Sequence, residues 1–133
     1  MDHKNFLETK DLADLQPKDI DSLAEYYGND FHKEIKTAQI RNIFSSIQAI
    51  RTKFRIEGKV SDELIRELIL LKPKVAYAKG RNKKREFETL YYMMKNAIDK
   101  TVESKQKDLA LKNFIALMES IVAYHKFFGG RDN

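Results

Sequence analysis

Residues 70–85 read LLKPKVAYAKGRNKKR, and seven of these sixteen are Lys or Arg (Lys72, Lys74, Lys79, Arg81, Lys83, Lys84, Arg85) with no Asp or Glu among them. Uncompensated cations at this density suit phosphate, because neutralising a polyanion releases its condensed counterions and drives binding without any reading of sequence. A second set lies upstream. Arg41, Ser45, Gln48, Thr52 and Arg55 recur at alternating steps of four and three residues, with Arg51 at the edge of the line. On a helix that spacing makes one face, and a solvated helical face normally intersperses Glu with its cations to gain i,i+4 pairs. This one carries no acid.

Covalent chemistry has little to work with. His3, His32 and His125 lie far apart, none at metal-ligand spacing from another, and the absence of Cys excludes disulfides and thiolate metal sites. No nucleophile elbow, phosphate-cradling glycine loop or EF-hand loop occurs. His125, on an apolar segment among aromatic residues, reads as a hydrogen-bonded core or interface histidine. Neither catalysis nor a cofactor or metal is expected.

The balance of charge supports the binding reading. Residues 1–35 carry four basic and nine acidic side chains, residues 36–85 fourteen and four, and residues 86–133 seven of each. The whole net charge of +5 therefore comes from the central third, a patch that favours a polyanionic partner. The N-terminus, MDHKNFLETKDLADLQ, lacks the basic start and apolar stretch of a signal peptide. The longest apolar run, Phe114 to Met118, is far short of the ~20 residues that span a bilayer. A cytoplasmic protein is expected.

These side chains need helices to position them. Residues 1–18, interrupted by Pro17, read as a weakly structured polar leader, followed by one helical domain over 19–133. Asp19 or Asp21 suits the cap of a first helix through LAEYYGNDFHKEI, which Gly28 weakens by about 1 kcal/mol. Thr37 suits the N-cap of a long helix that Gly58 stops, with Ile40, Ile43, Phe44, Ile47, Ile50 and Phe54 on its buried face. Ser61 starts the next helix, and Pro73 is expected to end or kink it, leaving a short helical segment from Pro73 to Gly80. A fourth helix buries Phe87, Leu90, Tyr91, Met94 and Ile98. A fifth is apolar around most of its circumference, which places it at the centre, and Gly129 and Gly130 close it. In the pairs Tyr26–Tyr27 and Tyr91–Tyr92 one ring is expected inside and one at the rim. Tyr77, between Lys74 and Lys79, is the tyrosine best set to stack on a base. No strand pattern appears, so the fold class is all-α, a compact bundle of about five helices.

Three stretches, TAQIRNIFSSIQ (37–48), LLKPKVAYAKGR (70–81) and FIALMESIVAYHKFFGG (114–130), resemble in order and spacing the small subunit of the type III-A CRISPR effector, the Csm interference complex. The resemblance implies a non-catalytic helical subunit present in several copies. These would stack beside the backbone subunits that hold the CRISPR RNA and against the large subunit at one end, supporting the CRISPR RNA–target RNA duplex whatever its sequence. Carried over by motif, Gln39, Arg41, Lys72, Lys74, Lys79 and Arg81 are the implied RNA contacts. Lys79 departs from the family, which more often has a small residue there. The charge pattern adds Arg51, Lys53 and Arg55, and Gln48, Ser45 and Thr52 are suited to hydrogen-bond phosphates or 2′-hydroxyls. These groups are expected to converge on one outer wall. Lys83 to Arg85 read as a solvated connector, and Lys126 lies at an end suited to meeting a neighbouring subunit. Two other readings share the same charge: a free-standing helical DNA-binding or nucleoid-type protein, and a helical adaptor for an acidic protein partner.

Overall fold

The computed structural model describes residues 1–130 and folds them into six α-helices: α1 (His3–Thr9), α2 (Pro17–Phe31), α3 (Thr37–Glu57), α4 (Asp62–Arg81), α5 (Arg85–Val102) and α6 (Lys107–Phe127). A 3-10 turn, Leu12–Asp14, sits between α1 and α2, and there is no strand among the described residues. The class is all-α as expected, with one helix more than the five anticipated. The most apolar segment forms α6, whose Ala110, Leu111, Phe114, Ile115, Leu117, Met118 and Ile121 are buried. It packs most extensively on α2 and also meets α3, α5 and the 3-10 turn, while α4 lies along α5 and α3 bridges α4 and α6.

Three local expectations are corrected. Residues 1–18 are not a weakly structured leader. They carry α1 and the 3-10 turn, and Leu7, Leu12, Ala13 and Leu15 are buried in the same cluster as the side chains of α6. Asp2 and Asp11 cap these short elements by accepting from the backbone amides of Asn5 and Ala13 at 3.1 and 2.9 Å, and Asn113 of α6 donates to Leu12 O at 2.8 Å. Packing thus stabilises a segment whose own periodicity is too short to show. The caps of α2 and α3 also shift. Gln16 and Lys36 are the N-caps; their backbone amides donate to Asp19 and Gln39, each at 2.9 Å, and Thr37 is a buried first residue.

Pro73 neither ends nor splits α4. It removes the amide that would bond to Ile69, but Ile69, Leu70 and Pro73 all lie on the exposed side, where water can reach that carbonyl. Leu64, Leu68, Leu71 and Val75 form one buried stripe through the break and carry the helix across it.

The centre of the fold is a backbone-to-backbone contact. A Cβ on Gly28 would stand 2.6 Å from Tyr124 Cβ and 2.9 Å from His125 N, so only glycine lets α2 approach α6 this closely. One turn-length of α6 then ties three segments together. Tyr124 donates its hydroxyl proton to Asp21 of α2 at 2.5 Å, and the fully buried His125 donates Nε2–H to Ile35 O, just before α3, at 2.6 Å. Gly129 takes φ 106°, its amide bonds to Lys126 O and that of Gly130 to His125 O, which closes α6 in a Schellman turn. Gly130 lies over the His125 imidazole, where a Cβ would collide with the ring.

Two consequences can be measured. Gly28→Ala should lower the unfolding free energy by about 1–3 kcal/mol through overpacking, although on an open helix it would add about 1 kcal/mol; chemical denaturation reads the sign. Burial holds the His125 pKa below its ordinary value, with the Ile35 bond opposing and the charges of His32 and Lys126 reinforcing the shift. Below about pH 6.5 the unfolded chain therefore takes up the proton first, and stability falls. Thermal melts from about pH 7.5 to about pH 5 should show that decline, and His125→Asn, less stable at neutrality, should show a shallower one.

Candidate nucleic-acid interface

Helix α3 is held from one side only. Ile40, Ile43, Phe44, Ile47 and Ile50 are buried against α4 and α6, and Arg41, Ser45, Gln48, Thr52 and Arg55 face solvent along the opposite line. From Arg41 to Arg55 that line runs roughly 21 Å at 1.5 Å per residue. Arg41 and Arg55 make no ion pair among the described residues. The hydroxyls of Ser45 and Thr52 donate to Asn42 O at 2.8 Å and Gln48 O at 3.1 Å. Their protons being so used, these oxygens present lone pairs outward, which suits a 2′-hydroxyl donor better than a phosphate acceptor.

Between α3 and α6 run two adjoining clefts of about 400 and 490 Å³. Phe44, Ile47, Met118 and Val122 floor the first, and Phe54, Ile115 and Ala116 the second. Arg41 borders the first, Arg51, Arg55 and Lys112 border the second, and Glu119 of α6 borders both. Glu119 Oε2 accepts from Gln48 Nε2 at 3.4 Å and stands 3.8 Å from Arg51 Nε. The acid missing from this line of α3 is thus supplied from about seventy residues away. Lys112 and Glu119 were missed in the sequence; their seven-residue spacing, a polar line along an otherwise apolar helix, is the signal that marks them.

The cations of α4 divide between two faces. Lys74 and Arg81 point to the α3 side. Lys74 donates to Ser46 Oγ at 2.7 Å, and Arg81 lies over the exposed Tyr77 ring at 5.8 Å, in a cleft shared with Gln39 and Asn42. Gln39 itself is engaged through its Oε1 in capping α3. Lys72 and Lys79, seven residues apart, share the face turned to α5, where Lys72 pairs with Asp99. Partial burial pushes the Asp99 carboxyl up, but hydrogen bonds from Lys72 and Lys95 outweigh it and hold its pKa below the ordinary value. Convergence on one wall therefore holds for Arg41, Gln48, Arg51 and Arg55, with Gln39, Lys74 and Arg81 on the α4 flank of α3. It does not extend to Lys72 and Lys79.

Lys53 is engaged most fully. Its ammonium donates to Glu63 at 2.8 Å and Glu67 at 2.7 Å, bridging α3 to α4, and these hydrogen bonds raise its pKa and lower that of Glu63. Lys83 and Lys84 are exposed in the short connector, but Arg85 opens α5 and forks onto Asp30 of α2 at 2.6 and 3.3 Å, which raises its pKa. Tyr27 is buried and Tyr26 exposed, with His3 stacked on it at 4.0 Å; Tyr91 is half-buried and Tyr92 exposed. No group of three or more His, Asp or Glu could hold a metal among the described residues. No described helix is long and apolar enough to cross a membrane.

The chain matches the family model described as Csm2 Type III-A over residues 14–131. A Streptococcus thermophilus protein described as "CRISPR system Cms protein Csm2" is 30% identical over 98 residues, which cover 74% of this chain and 76% of that protein. No solved structure matches. With nearly the whole helical fold inside the family match, the chain belongs to the Csm2 type III-A family and is a small subunit of the type III-A CRISPR Csm complex.

Proposed function

We propose that the exposed line of α3, with Arg81 and Lys74 at its α4 flank, holds the sugar–phosphate backbone of the CRISPR RNA–target RNA duplex. The single observation that carries this reading is a rigid helix presenting Arg41 and Arg55 about 21 Å apart, both without a carboxylate partner among the described residues. The α3 line has no aromatic ring on which bases could stack, so it suits backbone contact indifferent to sequence, while base pairing reads the sequence. Copies of the subunit stacked along the duplex add their weak patches together, and the bound strand gains from their number. The other contacts of the complex are with its backbone and large subunits.

The role is scaffolding and not chemistry. His125, the residue a ribonucleolytic reading would need, is fully buried and committed to Ile35 O. Lys53 and Lys72 belong to this reading less directly, because each would have to leave a carboxylate to reach a phosphate.

Arg41→Ala combined with Arg55→Ala should weaken binding to unstructured RNA and to RNA duplex and flatten the dependence of log K on log salt by roughly two, about one per phosphate contact. Stability should change by no more than about 0.5 kcal/mol per exposed substitution. Lys53→Met should cost less RNA affinity than either arginine. Fluorescence anisotropy at matched salt measures the affinities and salt slopes, and chemical denaturation the stability. Unchanged affinity in the double variant, or a preference for duplex DNA over RNA, would overturn the reading.

A further inference from the structure

Among the described residues Glu119 is the one carboxylate bordering the two α3–α6 clefts, and Arg41, Arg51, Arg55 and Lys112 border them with it. Its contacts are loose: 3.4 Å to Gln48 and 3.8 Å to Arg51, against 2.7 and 2.8 Å for the carboxylates on Lys53 and 2.6 Å for Asp30 on Arg85. Both side chains of the Arg51–Glu119 pair are about two-fifths exposed, a setting in which an ion pair adds little to stability. Nor does the joint between α3 and α6 depend on it, since Phe44, Ile47, Ile115, Met118 and Ile121 already bury the contact.

A weak, exposed pair in the middle of a cationic face has a clear electrostatic effect on an arriving anion. Glu119 occupies Gln48 and the edge of Arg51, and its own charge repels a phosphate that approaches them. We propose that Glu119 is a built-in counter-ion of this face, occupying its central phosphate-binding groups in the free subunit and giving way as RNA docks. A single copy then binds weakly, and retention of the duplex depends on several copies acting together. The inference rests on the reading of α3 as a phosphate-binding face and adds its regulation.

Glu119→Gln removes the charge and keeps the shape. Anisotropy titrations of the full chain with a labelled polyuridine strand and a labelled RNA duplex, at a low and a near-physiological ionic strength, test the proposal. The variant should bind about three- to tenfold more tightly, the effect of one like charge within several ångströms in screened water. Its salt slope should steepen by about one as Arg51 becomes available, with an unchanged melting temperature. Arg51→Ala should cost less affinity in the natural protein than in the Glu119→Gln background, the coupling a shared pair requires. Unchanged, weaker or undetectable RNA binding by Glu119→Gln overturns the proposal. The Arg41→Ala, Arg55→Ala double variant separates the two levels. If it loses affinity while Glu119→Gln is silent, only the counter-ion role fails; if it binds RNA as the natural protein does, the phosphate face itself fails.

Discussion

The approach of α2 to α6 at Gly28 is the constraint on which the rest of the molecule hangs. With no side chain between the two backbones, Tyr124 and His125 lie directly against α2. From there Tyr124 reaches Asp21, and His125 reaches Ile35 in the segment that leads into α3. The imidazole has room in that position because residue 130 is a glycine, where a Cβ would collide with the ring. A side chain at Gly28 would push α6 away from α2, and one at Gly130 would displace the imidazole; either would loosen the bond from His125 to Ile35 at the entry to α3. The Ala-Tyr-His-Lys-Phe-x-Gly-Gly stretch is therefore a structural clasp, and its glycines serve packing and helix termination.

Because α3 is hung from α6 at its start and meets α4 and α6 only through its apolar face, its other side is free over nearly its whole length. Its cations differ according to what the neighbouring helices bring within reach. On the α4 side Glu63 and Glu67 converge on Lys53. On the α6 side Glu119 touches Arg51 at arm's length. Arg41 and Arg55 have no carboxylate partner among the described residues. The difference between a bridging lysine and an available arginine is thus set by helices α4 and α6, whose acids no charge pattern within α3 could indicate.

Much of the helical architecture was legible because long amphipathic segments announce themselves. The 3.6-residue recurrence of Ile40, Ile43, Phe44, Ile47 and Ile50, the Ser61 cap, the left-handed Gly58 stop and the greasy α6 all appear as their residue types require. Short-range signals failed where tertiary contacts outweigh them. α1 and the 3-10 turn are too brief to be stable alone, but they bury Leu7, Leu12 and Leu15. Pro73 would break an isolated helix, but the buried stripe of α4 runs unbroken past it.

By itself the sequence determined that the chain is helical, which face of each long helix is apolar, and that positive charge is concentrated in the middle third. Those follow from local periodicity and composition, which a linear reading contains. Which of those charges faces outward was decided only by the tertiary structure. The packing of α4 on α5 delivers Asp99 to Lys72, the packing of α3 on α4 delivers two glutamates to Lys53, and α6 brings Glu119 across to Arg51. The physical reason is that an ion pair depends on distance in space, and these partners are separated by ten to about seventy residues along the chain.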